Sequence, residues 1–282
     1  MKVKLWGTRG SIAAPGPETT RYGGNTSCVE VRGNDGTCLV LDAGTGILRL
    51  GASFDKSVRR LDILLTHLHL DHLQGIGFFG PLRWPGVEAH IWGPASTTLT
   101  LRERLSRYLS PPLFPVYMRD LQSNVILHEV VDDEFQIGEF TIKSALVVHI
   151  DPTVGFRITS PTATFAYIPD HEPALGPREF PIDPFWTSGY DLAAGADLLV
   201  HDCQYTVEQY ETRVGWGHCS MPHAFQFADL AKVKHFVPFH HDPSHTDDDL
   251  DRLISEQIEL AQPSYKVTPG VDGAVFDLNE SN

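Results

Sequence analysis

Short apolar runs of four to nine residues, separated by polar, glycine- and proline-rich connections, dominate the chain. Their length and β-branched content are those of strands. Strands are predicted at 2–7, 27–32, 37–42, 61–65, 87–92, 124–130, 140–148, 153–159, 163–168, 196–200 and 235–239, with a terminal pair at 264–268 and 274–277. Helical periodicity appears near 47–51, 95–108, 221–233 and 247–260, and Ser110-Pro111-Pro112-Leu113-Phe114-Pro115 stops the second of these. Asn34-Asp35-Gly36 is a hairpin signal between two of the strands, and Asp247 to Asp249 suit the positive end of a helix dipole. There is no strict repeat, but two halves share a strand-and-helix rhythm. That rhythm fits an α/β fold, a four-layer αββα sandwich, as a single domain over 1–282.

The polar residues at the ends of the apolar runs carry the chemistry. The run at 61–65 delivers Thr66-His67-Leu68-His69-Leu70-Asp71-His72. Other runs end at His149, Asp170, His201-Asp202 and His240. Strand ends gathered on one sheet edge make one site. Alternation puts His67 and His69 on one side, and Asp71 and His72 follow as the chain turns into a helix through Leu73. Such a set of imidazoles and carboxylates can serve two neighbouring divalent ions, zinc by default and manganese or iron as alternatives. Surface histidines at a strand end would be the bland reading, and their density argues against it. Asp42 beside Ala43-Gly44 could orient a metal-bound histidine or cap the next helix. Arg9 and Arg21, in a glycine-rich loop from Gly7 to Ser27, could reach a phosphate or be structural.

Charge and cysteines narrow the class. The formal net charge is −14, with the densest basic patches at Arg59-Arg60 and within 102–107. Without a basic face, a long nucleic acid is disfavoured. Two divalent ions outweigh two ligand carboxylates in charge, so the site is a cationic spot in an acidic protein and favours a small anionic substrate. No run reaches the roughly 20 apolar residues of a membrane span, and the N-terminal stretch does not read as a secretory signal. Cys28, Cys38, Cys203 and Cys219 show no CxxC spacing, so free thiols in a cytoplasmic protein are expected. Cys28 and Cys38 flank the 33–36 turn as candidate cross-strand neighbours.

Residues 67–72 match the HxHxDH signature, and the chain resembles the metallo-β-lactamase-fold hydrolases. That resemblance implies His67, His69 and His149 as ligands of a first metal. It implies Asp71, His72 and His240 for a second, with Asp170 bridging the two; His241 is the alternative to His240. His201-Asp202 and Gly217-His218-Cys219-Ser220 are similar to the His-acid and Gly-His-Ser/Thr motifs of the tRNA 3′-processing endonuclease branch, with Asp for the usual Glu. They imply His218 as general acid, its tautomer fixed by Asp202, and Asp71 as orienting or deprotonating the attacking water. The Gly7-Thr8-Arg9-Gly10-Ser11 segment and the stretch 20–27 also resemble that branch, so the likeness covers about 3–275. It departs in lacking a long arm, because only 20 residues lie between His149 and Asp170. His171 also follows Asp170 in place of a small polar residue and is a candidate for a supporting or substrate contact. His90, His128, His223, His235 and His245 read as structural or solvated.

The expected activity is therefore metal-dependent hydrolysis of a phosphodiester, a small or cyclic nucleotide. A ribonuclease, lactonase or thioesterase-like hydrolase on the same fold, or a metal sensor or redox protein, are the alternatives. The resemblance allows a homodimer without fixing the oligomeric state.

Overall fold

The computed structural model of the chain describes residues 1–176 and 180–279. The N-terminal part lays down β1 (Lys2–Gly7), β2 (Cys28–Arg32), β3 (Cys38–Leu41), β4 (Arg60–Leu64), β5 (Glu88–Pro94) and β6 (Asn124–Val130). A second set follows: β7 (Glu134–Ile137), β8 (Phe140–Leu146), β9 (Val154–Thr159), β10 (Thr164–Ile168), β11 (Leu198–Asp202), β12 (His235–Phe239) and β13 (Lys266–Val267). Finally β14 (Val275–Asp277) returns to β1. The result is two seven-stranded sheets, ordered β14-β1-β2-β3-β4-β5-β6 and β13-β12-β11-β10-β9-β8-β7.

Both sheets are mixed in the same way. Strands β3 to β6 are parallel, as are β10 to β13, and antiparallel strands flank them. Parallel strands are buried on both faces, which explains why β4 and β10 read as nearly unbroken apolar runs. The inner faces meet in a core that includes Val3, Leu5, Val31, Phe140, Phe156, Tyr167 and Phe239. Each such large side chain contributes about 1.5–3 kcal/mol by leaving water.

Helices cover the outer faces. Helices α1 (Ile47–Ser53), α2 (Leu70–Leu73) and α3 (Leu101–Tyr108) pack on the first sheet through Ile47, Leu50, Leu73, Leu101 and Leu105. On the second sheet lie α4 (Tyr190–Ala193), α5 (Val207–Glu211), α6 (Met221–Leu230) and α7 (Asp247–Ala261). Of these, α4 and α6 bury Leu192, Ala193, Phe225 and Phe227 against it. The four layers are those the sequence rhythm predicts.

Three local expectations are corrected. The helix expected from residue 95 begins at Leu101, where Thr100 and Glu103 form a reciprocal cap. The terminal strands do not pair with each other: β13 extends the second sheet beside β12, and β14 crosses to the first. Cys28 and Cys38 are not neighbours, because Cys38 sits opposite Arg32 and Cys28 opposite Gly7; all four cysteines are free. Among the described residues, no helix is long and apolar enough to cross a membrane.

Candidate metal centre

The ends of β3, β4, β8, β10, β11 and β12 point to one edge of the sandwich. Beyond β4 the chain is gripped by Asp42, which follows β3 at a left-handed φ of 57°. Its carboxylate accepts the Thr66 amide (2.8 Å) and the Thr66 hydroxyl (3.0 and 3.1 Å). This fixes the turn that places His67 and His69 with rings edge to face at 4.4 Å. His149, three residues past β8, brings Nε2 to 3.2 Å from Nδ1 of His69. Ligand atoms of His67, His69 and His149 lie within 4.8 Å of one another.

A second group forms alongside. Helix α2 starts after His69 and presents Asp71 and His72; Asp170 follows β10, and His240 follows β12 at a left-handed φ of 58°. Ligand atoms of Asp71, His72, Asp170 and His240 satisfy the same proximity. Asp71 Oδ2 accepts the Ser11 amide at 2.8 Å and lies 3.1 Å from Nε2 of His240.

The tautomers are set from behind. Nδ1 of His72 meets Asp42 Oδ2 (2.8 Å), Nδ1 of His149 meets the Gly217 carbonyl (2.7 Å), and Nδ1 of His240 meets Gln204 Oε1 (2.9 Å). All three partners can only accept, so each Nδ1 carries the proton and each Nε2 is the atom left to bind a metal. The Nε2 atoms face Asp170, whose oxygens lie 3.0 Å from His72, 3.3 Å from His240 and 3.7 Å from both His67 and His149. The neighbouring carboxylates raise the proton affinity of His72, and a divalent cation would take the place of that proton among the same groups. His67 Nε2 and Asp170 Oδ1 are buried with no hydrogen-bond partner. Burial holds the His67 imidazole well below its ordinary value and His149 at about 4, which keeps both neutral. The donor set therefore fits two divalent ions that share Asp170.

Beside this centre, Asp202 Oδ2 lies 2.6 Å from Nδ1 of His218. The His218 ring stacks on His240 at 4.9 Å and meets His149 edge-on at 4.9 Å; its Nδ1 is 3.9 Å from Asp170. Burial lowers the affinity of His218 for its proton, but the Asp202 carboxylate more than offsets this, and the net shift is upward. Two glycines permit this crowding. Gly217 has φ +83°, and a Cβ there would sit 2.4 Å from His149 Nδ1. A Cβ on Gly10 would sit 2.3 Å from His240 Nδ1.

Every ligand and proton-transfer residue expected from the sequence converges here. Asp42 does not cap α1, since the residue before that helix is Gly46 and no side chain caps it; its carboxylate instead meets Nδ1 of His72. His241 points elsewhere, to the Gly270 carbonyl (2.8 Å). His171 and His201 pair with each other (2.8 Å) and pack on Phe227. Neither candidate phosphate arginine is available. Arg9 is wholly buried against the Gly23, Asp242 and His245 carbonyls, and Arg21 pairs with Asp248 and Asp251. His90 and His128 stack with Trp92, His223 packs on Tyr210 and Phe180, His235 bonds Thr268 and His245 bonds Gln209. Sequence reasoning missed Gln204 and Glu172, which hold the centre from behind and belong to no motif.

The β-lactamase superfamily domain profile matches residues 37–241, and the chain belongs to that family, with the metallo-β-lactamase fold. Ribonuclease Z from Mycobacterium sp. (strain KMS) is 28% identical over 261 residues, covering 86% of this chain and 85% of that protein. Among solved structures, the metallo-β-lactamase fold protein YhfI from Bacillus subtilis superposes with a TM-score of 0.70 at 20% identity, covering 98% of each chain. A diphosphatase from the PhnP family superposes at 0.65 and 17% identity, covering 98% of this chain and 96% of that one.

Proposed function

We propose that this chain is a dinuclear metal phosphodiesterase. The Asp202–His218 pair, 3.9 Å from the shared Asp170, carries the reading. His67, His69 and His149 would hold one ion, and Asp71, His72 and His240 the other, with Asp170 between. Two such ions, zinc foremost, supply Lewis acidity and a water acidic enough to attack at neutral pH. Asp71, fixed by the Ser11 amide, would orient the attacking water or accept its proton. His218 gives a proton from Nε2 to the leaving oxygen, while Asp202 keeps Nδ1 protonated and the ring in place. The upward shift of His218 beside Asp202 favours the protonated ring that this role needs.

A small anionic phosphodiester, such as a cyclic nucleotide, meets less repulsion from a chain of net charge −14 than a long polyanion does, and it suits the short connection through β9 and β10. RNA is the second reading, favoured by the similarity to ribonuclease Z. The free thiols and acidic surface support a cytoplasmic protein. The decisive assay uses bis(p-nitrophenyl) phosphate. Chelation abolishes turnover and zinc or manganese restores it, while His218→Ala lowers kcat on unactivated esters about 10²–10⁴-fold. Absence of hydrolysis with two metals bound per chain sinks the reading. Rates on cyclic mono- and dinucleotides against a tRNA precursor then separate the two substrate classes.

A further inference from the structure

Glu172 lies two residues beyond Asp170 and is fully buried. Its carboxylate accepts the amides of Gly215 (3.0 and 3.1 Å) and Gly217 (3.0 Å) and the hydroxyl of Tyr210 (2.7 Å). Its own amide donates to the Val148 carbonyl at 2.9 Å. Among the described residues, no lysine or arginine pairs with it. A buried carboxylate is costly unless its acceptor sites are filled, and here backbone amides fill them, forming an anion nest turned inward.

These contacts converge on two groups of the metal centre. Glu172 holds the N–H of Gly217, and the carbonyl on the other side of the same Cα receives Nδ1–H of His149. The next residue is His218, which Asp202 receives at 2.6 Å. The Val148 contact fixes the peptide just before His149. Gly217 sits at φ +83° with His149 against its Cα, so this peptide has little room to turn. The Tyr210 hydroxyl, on α5, also accepts the Gly176 amide (3.0 Å) and lies 3.1 Å from the Ala174 carbonyl, which ties the segment after Asp170 to the same clamp.

We infer that Glu172 is the positioning residue for this site: by clamping the Gly215–Gly217 backbone it aims the His149 imidazole at the metal centre and sets His218 against Asp202. The assignment rests on the phosphodiesterase reading for its kinetic consequence, but its metal consequence stands apart. Each Glu172 oxygen only accepts. In Glu172→Gln the shape is kept, but the Gly215 and Gly217 amides lose their charged acceptor, and the amide nitrogen must either face those N–H groups or take the Tyr210 hydroxyl as its acceptor.

The test compares wild type, Glu172→Gln and Glu172→Leu. Zinc affinity is measured by titrating metal-stripped protein against a chromophoric chelator. The expected result is one of two zinc ions bound about 10–100-fold more weakly in both variants. Turnover is measured on two esters, one with a p-nitrophenolate leaving group, which needs no proton, and one with an alkoxide leaving group, which does. In Glu172→Gln, kcat is expected to fall about tenfold or more on the alkoxide ester and far less on the other, with KM little changed. A Glu172→Gln protein that binds both ions as tightly as wild type and keeps the wild-type ratio between esters overturns the inference, whatever happens to its melting temperature. If Glu172→Leu does not fold, Glu172→Gln alone decides. If wild type hydrolyses neither ester, the phosphodiesterase reading fails, and the zinc titration still judges Glu172.

Discussion

Asp42 shows how much of the site a single carboxylate can organise. It is fully buried at a left-handed φ and accepts from Thr66, His72 and the Tyr167 hydroxyl (2.9 Å). Residues in sparsely populated backbone regions persist only where their surroundings hold them, and here three partners do. In Asp42→Asn the amide must turn a donor toward either the Thr66 N–H or the protonated Nδ1 of His72. The expected outcome is a roughly 10–100-fold loss of metal affinity at the group containing His72, read by chelator competition; unchanged affinity would show that Asp42 serves only the fold. At this scale the ligands were legible because His67 to His72 is so dense and because His149, Asp170 and His240 each end an apolar run. Asp42 stayed ambiguous, since glycines after an aspartate also mark a helix start. Gln204 and Glu172 left no trace, because their partners are backbone amides and a ring nitrogen distant in sequence.

Among the elements, strands were easier to read than helix starts. Apolar runs of the right length became β1 to β6 and β8 to β12 with boundaries close to those expected. β7, at four residues with a half-exposed pattern, gave too little signal, as did the short α4 and α5. Helix starts depend on capping chemistry. Thr100 with Glu103, Thr206 with Gln209 and Thr246 with Asp249 form reciprocal caps. The first of these explains the late start of α3. The cap of α7 also steadies Asp247, which accepts the amides of Arg21 and Tyr22 and so anchors the glycine-rich loop. Thr246→Ala is expected to cost about 1 kcal/mol in urea unfolding while leaving zinc stoichiometry at the wild-type value. A loss of zinc instead would mean that α7 reaches the centre directly.

For the molecule as a whole, buried imidazoles set the response to acid. Burial holds His201 and His235 at about 4 and His241 at about 3, against about 6.5 when unfolded. The native state then binds fewer protons than the unfolded chain. Its stability from these groups is fully present above about 6.5 and is lost as pH falls toward 4. Asp272, raised to about 6 by burial, acts in the opposite sense, its contribution shrinking as pH rises from about 4 to 6. His67, His149 and His171, also held low by burial, act with these three, while His72 and His218, held high by neighbouring carboxylates, act with Asp272. The low-held imidazoles are the more numerous, so acidification gives a net loss, seen as a falling urea midpoint of metal-stripped protein between pH 7 and 4.5. His235 lies away from the centre, bonded to Thr268. After discounting for its partial exposure, His235→Gln should remove on the order of 1 kcal/mol of that pH dependence; an unaltered slope would exclude His235 as a contributor. The division of the site between two sheets also has a consequence for biogenesis. His72 and His240 stand 168 residues apart. At the roughly 5–20 residues per second of synthesis, the ribosome exposes the imidazole cluster of the first sheet roughly 10–30 s before His240 emerges. On the proposed reading, that cluster would be an open chelator during the interval, without His149, Asp170 or His240 to complete either group, and the full donor set would form only once the second sheet had closed over the first.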